Sequence, residues 1–99
     1  IKNPKIVLPA CENIANHVFH LFVIRTENRD NLQEYLLKSE IETMIHYPIP
    51  PHKQKALQEF NHLSLPITEK IHLEVLSLPI SPVMTKNEVD YVIAVLNKY

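Results

Sequence analysis

Glycine is absent from this 99-residue sequence, and with it goes the residue that lets a backbone close tightly around a phosphate group. A glycine-rich nucleotide loop cannot be built, so nucleotide binding by the common loop motifs is excluded. Every tight turn falls to Asn, Asp, Ser or Pro. Cysteine occurs once, as Cys11, which excludes an internal disulfide framework and suits a reducing compartment. No apolar run approaches the roughly 20 residues needed to cross a bilayer, and no basic segment leads into an apolar one as in a secretory leader. No membrane contact and a cytoplasmic location are expected. Ten basic residues against eleven acidic ones leave a formal charge of -1, which offers no attraction to nucleic acid.

What is present describes a folded globular chain. Hydrophobic residues make up 45 % and charged residues 21 % of it, proportions that exclude disorder, and the length suits one hydrophobic core with no room for a second. Proline appears eight times. The chain begins at Ile1 rather than methionine, and residues 1–14, with Pro4 and Pro9, read as a connecting segment from a preceding domain. Residues 15–99 are then the domain proper, and the chain is expected to be a fragment of a longer protein.

The run His17 to Arg25 is rich in aromatic and β-branched residues and predicts a central, largely buried strand. Asn28 can cap a helix over Arg29 to Ser39, where Leu32, Tyr35 and Leu36 fall at helical spacing. Ile41 to His46 alternates with period two and predicts a second strand. Three prolines between Tyr47 and His52 exclude both helix and central strand and leave a stiff, extended loop. Lys53 to Phe60 has helix-forming composition and predicts two turns. Pro66 suits a first helical turn, and Ile67, Ile71 and Val75 carry a helix onward from it. Leu76 to Ile80, closed by Pro79 and Pro82, is read as an edge strand at most. Thr85 and Glu88 have the spacing of a capping box ahead of Val89, Val92, Ile93 and Leu96. The fold class expected is an α/β (α+β) sandwich of about three strands with helices mainly on one face.

Chemistry-bearing residues are sparse. His17 and His20, placed on a strand three apart, would point to opposite faces and could not share a metal ion. His46 and His52 flank the proline loop and could converge, but a third ligand is missing, so no metal site is expected. Cys11 has no activating neighbour in sequence, and Glu40, Glu42, Glu69 and Glu88 have places at helix ends or a strand start that need no chemistry. No catalytic residue is nominated. The run His46 to His52, with Gln54, is different: it offers two imidazoles and a phenol from a backbone that loses little entropy when a ligand binds, although a plain connection is the simpler reading.

That run carries a resemblance. Ile41-Glu42-Thr43-Met44-Ile45-His46-Tyr47-Pro48-Ile49-Pro50-Pro51-His52-Lys53-Gln54 resembles the small-domain signature of the DegT/DnrJ/StrS sugar aminotransferases. His17 to Ile24, Leu65 to Lys70, Val75 to Pro79 and the helix from Val89 to Leu96 bracket it in matching order, so the resemblance spans about residues 9–99. It implies the C-terminal small domain of a fold-type I, pyridoxal phosphate (PLP)-dependent enzyme. Such an enzyme works as a homodimer whose large domain, absent here, holds the cofactor and its lysine. It transfers an amino group from glutamate to a keto-deoxysugar on a nucleotide, dTDP being the nucleotide that His46-Tyr47-Pro48 with His52 most resembles. A substrate-binding role is carried over to His46, Tyr47 and His52 alone, and no cofactor-binding role to any residue. Relatives commonly place glycine where this chain has Ser39-Glu40, so Glu40 is expected either to take a positive φ or to sit in a turn built differently. Two other functions stay open: a free-standing α/β protein-interaction module, and a PLP-dependent sugar dehydratase using the same fold.

Overall fold

In the computed structural model of the chain, which describes residues 1–99, two strands and three α-helices run in the order β1 (Phe22–Arg25), α1 (Arg29–Lys38), α2 (Pro66–Glu74), β2 (Val75–Leu78) and α3 (Lys86–Lys98). The strands pair antiparallel, with Phe22 opposite Leu78 and Arg25 opposite Val75. One bridge adds Val7 to the outer edge of β1, and another adds Met44 to the far edge of β2.

The sheet is therefore two-stranded, not three-stranded as the sequence suggested. The expected strand Ile41 to His46 contributes only the Met44 bridge. Two residues further along β2 the next partner would be Pro79, which has no N–H to give, so the ladder cannot lengthen there. β1 begins only at Phe22, opposite Leu78, and residues 17–21 lie outside the sheet. There Phe19 takes a left-handed φ of 45°, and its N–H donates to Nδ1 of His17 at 2.8 Å. Leu76 to Ile80, read as an edge, is instead the internal strand: all four residues of β2 are buried, with β1 on one side and Met44 on the other.

Pairing register sorts the side chains. Phe22 and Ile24 stand beside Leu78 and Leu76, and this face meets Leu32 and Leu36 of α1 and Val95 and Leu96 of α3 in one apolar cluster completed by Ile6 and Ile41. The spacing of four between Leu32 and Leu36 puts both on one face of α1, and Val95 and Leu96 sit side by side on the inward stripe of α3. Each fully buried leucine or isoleucine there contributes about 1.5–3 kcal/mol. Val23, Arg25, Val75 and Ser77 face the other way, where the proline loop lies. α1 and α3 pack on the core face, while α2, which gives no residue to the cluster, meets the proline loop through Glu69 and His72.

Local signals were met unevenly. The Thr85–Glu88 capping box is formed in both directions. Asn28 makes no side-chain cap bond; its carbonyl instead accepts from the N–H of Leu32 at 3.0 Å. The helix expected over Lys53 to Phe60 is two short 3-10 turns, Pro51–Lys53 and Lys55–Phe60, with Leu57 out of helical geometry. The Asn61 amide lies against these turns, donating to the His52 carbonyl at 2.7 Å with the Gln54 and Leu57 carbonyls at 3.5 and 3.4 Å. Residues 1–7 are built into the fold, since Ile6 is in the core and Val7 and Arg25 exchange hydrogen bonds of 2.8 and 2.9 Å.

Glu40 takes the positive φ, 59°. Its N–H reaches the carbonyl of Leu37 and that of Ile41 reaches Leu36, at 3.0 and 2.9 Å, which is a Schellman ending with glutamate where glycine is usual. Ile41 and Leu36 meet in the core beneath it, so the turn is held by packing despite its conformational cost.

The outline is open. Its radius of gyration is 15.3 Å, against about 13 Å for a compact domain of this length, and large apolar side chains stand in solvent, among them Val18 at 92 %, Val83 at 84 % and Ile67 at 76 % exposure. Two stability measurements follow from the packing. Replacing Leu96 with alanine should cost about 2–5 kcal/mol in urea unfolding. Glu40→Gly should instead raise stability by about 0.5–1 kcal/mol, because it relieves the left-handed strain, and Glu40→Val should lower it by about 1 kcal/mol or more.

Candidate functional site

The proline loop crosses the sheet face opposite the core and is tied down at each end. At its start, Nδ1 of His46 lies 2.8 Å from Oγ of Ser77 in β2. One residue on, the Tyr47 carbonyl accepts from Nδ1 of His72 in α2 at 2.6 Å. Further along, the amide of Gln54 donates to the Ile49 carbonyl at 3.0 Å. At the far end, Nε2 of His52 meets Oε1 of Glu69 at 2.9 Å, and Lys53 donates to the carbonyls of Asn61 and Leu63 at 3.0 and 2.8 Å. With prolines already fixing φ at Pro48, Pro50 and Pro51, the loop has little freedom left to lose on binding a ligand.

The three residues singled out from sequence are placed differently from one another. Tyr47 is 64 % exposed and presents its phenol to solvent. His46 is half-buried, meets the Tyr47 ring edge to face with centroids 5.5 Å apart, and helps line a shallow cleft of about 240 Å³ with His20, Thr43, Met44 and Ser77. His52 is 6 % exposed, turned inward against Glu69. The expected display of two imidazoles is thereby corrected: burial and the carboxylate hold the second ring under the loop. Gln54, also singled out, is spent on the loop backbone. His46 and His52 do not converge, because each is taken by a different partner, and no three side chains of ligand type come together as a metal site.

Four residues of this arrangement were not visible in sequence. Ser77, His72 and Asn61 lie far from the loop in the chain or carry no motif. Glu69 was read for its place at the start of α2, which it keeps by accepting from the N–H of Leu65 at 3.0 Å; only the fold adds His52 to the same oxygen.

The carboxylates that anchor the surroundings are held more acidic than usual. The Leu65 N–H, then His52, hold Glu69 below the ordinary 4.5. Arg25, bonded through Nε and Nη2 at 3.1 and 2.6 Å, does the same for the buried Glu74 at the junction of α2 and β2. The Thr85 N–H and hydroxyl do so for Glu88.

The chain matches the DegT/DnrJ/EryC1/StrS aminotransferase family over residues 2–97. It belongs to that family. Among its relatives is a dTDP-3-amino-3,6-dideoxy-alpha-D-galactopyranose transaminase from Aneurinibacillus thermoaerophilus, 54 % identical over 99 residues. Another, from Streptomyces venezuelae, is a dTDP-3-amino-3,4,6-trideoxy-alpha-D-glucose transaminase, 42 % identical over 80 % of this chain and 21 % of its own. The chain spans all of its own length but only 27 % of the first relative's. Among solved structures it is similar to S. venezuelae DesV in complex with a ketimine intermediate, with a TM-score of 0.89 and 36 % identity over 98 % of this chain and 27 % of that one. Bacillus subtilis NtdA with bound cofactor PMP follows at a TM-score of 0.82 and 36 % identity, over 94 % of this chain and 22 % of that one. The DegT/DnrJ/EryC1/StrS family is one of PLP-dependent aminotransferases.

The residues present do not fit PLP by themselves. All eight lysines are exposed, and Lys38, Lys53, Lys70 and Lys86 are engaged by carboxylates or carbonyls. A Schiff-base lysine needs a desolvated pocket, which lowers its pKa, and no lysine here has one.

Acid unfolding tests the electrostatics. Since Glu69, Glu74 and Glu88 titrate lower in the fold than when unfolded, their contribution is in place above 4.5 and is lost as pH falls through their depressed values. The urea midpoint should be level between about pH 6 and 5 and decline below about pH 4.5, and Glu69→Gln should make that decline shallower.

Proposed function

We propose that this chain is the C-terminal small domain of a PLP-dependent aminotransferase acting on a dTDP-linked keto-deoxysugar, with residues 1–14 leading in from a large domain and residues 15–99 forming the small one. The amino donor is glutamate, which becomes 2-oxoglutarate as the sugar's ketone carbon gains the amino group. The large domain holds PLP and supplies the carbanion-stabilising chemistry. His46 and Tyr47 meet the sugar, and His52 acts on it through the loop that it anchors to Glu69. The working enzyme is a homodimer, located in the cytoplasm.

The observation that carries this reading is a likeness running the full length of the chain to enzymes about four times as long. An 11.5 kDa piece with an open outline, unburied apolar residues and no lysine suited to PLP is what a domain accustomed to a larger partner looks like. The proline loop supports the sugar-side role, since it is the one place where polar rings are offered from a rigid backbone.

The full-length protein, given a dTDP-3-keto-6-deoxyhexose and glutamate, should yield the amino sugar and 2-oxoglutarate in equal amounts by mass spectrometry. A dehydrated, unaminated sugar would point to the dehydratase reading instead. The 99-residue chain alone, titrated with PLP, should give only the absorbance of free cofactor, and a saturable Schiff-base band would overturn the division of labour between domains.

A further inference from the structure

Two contacts made from outside the loop act on its start, at His46 and Tyr47. A carbonyl can only accept a hydrogen bond, so the 2.6 Å contact between Nδ1 of His72 and the Tyr47 carbonyl requires the neutral His72 ring to carry its proton on Nδ1. Ser77 has both backbone groups occupied by Met44, at 2.8 and 3.2 Å. Its hydroxyl is therefore the group left for the His46 ring at 2.8 Å, and because Ser77 is buried that contact is sheltered from solvent. One contact fixes a ring and the other a carbonyl in consecutive residues, and the two aromatic rings then meet at 87°.

The far end of the loop is secured separately, by His52 with Glu69, by Asn61 with the His52 carbonyl at 2.7 Å and by Lys53. Removing either contact at the start leaves that far end intact. What changes is the aim of His46 and Tyr47, and a misplacement of about 1 Å in a reacting assembly can cost about a hundredfold in rate.

We propose that Ser77 of β2 and His72 of α2 are positioning residues for the sugar-facing pair His46 and Tyr47, Ser77 fixing the imidazole and His72 the Tyr47 carbonyl. The proposal rests on the functional reading above. It predicts an effect on the sugar side of the reaction, because the two contacts hold the residues that the functional reading gives to the sugar.

The test has two arms. In the full-length enzyme, Ser77→Ala and His72→Gln should each slow delivery of the amino group to the keto-sugar by about tenfold or more, while consumption of the amino donor in single turnover changes by less than about twofold. His72→Asn places an amide N–H near the position of Nδ1 and should restore the sugar step to within about threefold of wild type. Equal losses in both halves, or an unchanged sugar step, would overturn the proposal. In the 99-residue chain, nitrogen-detected NMR at about pH 8, above the ordinary imidazole range, should find the His72 proton on Nδ1, and a proton on Nε2 would overturn it equally. That second arm needs no activity, so an enzyme that fails to aminate any nucleotide sugar sinks the functional reading while the geometry is still judged.

Discussion

Everything in this molecule depends on four residues of β2 having two occupied faces. Leu76 and Leu78 enter the apolar cluster with α1 and α3, while Ser77, one residue out of phase, looks onto the proline loop and holds His46. A strand alternates its side chains with period two, so the register that buries the leucines also delivers the serine hydroxyl to the loop. A slip of one residue would put the hydroxyl into the core and the leucines beneath the loop, destroying both at once. Core and candidate site are thus specified by the same pairing of Phe22 to Arg25 with Val75 to Leu78.

Around that strand the structure relies on stiffness obtained cheaply. Prolines limit the loop before it folds, and contacts from α2, β2 and the 3-10 turns complete the restriction. Arg25 and Glu74 close the junction where α2 runs directly into β2, so that His72 and Ser77, five residues apart, reach the loop from adjacent elements. A domain of this size cannot cover all its own apolar surface, and Val18, Ile67 and Val83 are left outside. The exposed residues are no part of the leucine cluster, which is why the fold can hold together without them.

Much of the helical structure was legible because its signals are local. The capping box at Thr85, the proline opening α2 and the leucine spacing of α1 each sit within one or two turns of chain, and they act much as they would in any context. Strand extents were not legible, because they depend on a partner: Pro79 limits the Met44 segment by withholding a donor from residues far away in sequence. The turns at Lys55 to Phe60 defeated a composition argument because the backbone leaves helical geometry at Leu57, which helix-forming composition does not record. At Ser39-Glu40 the missing glycine flagged the turn correctly, although only the packing of Ile41 on Leu36 explains why glutamate is kept there.

By itself the sequence determined the family, through ordered motifs from His17 to Leu96, and it determined that residues 47–52 form a stiff loop, since proline fixes backbone angles wherever it occurs. Tertiary structure alone decided which ring faces out. Tyr47 is left in solvent and His52 is drawn under the loop because Glu69 stands beneath it. His46 is held because Ser77 lies opposite Met44. Such choices depend on which groups come within about 3 Å of one another across separations of 17 to 31 residues, and no local pattern records that distance.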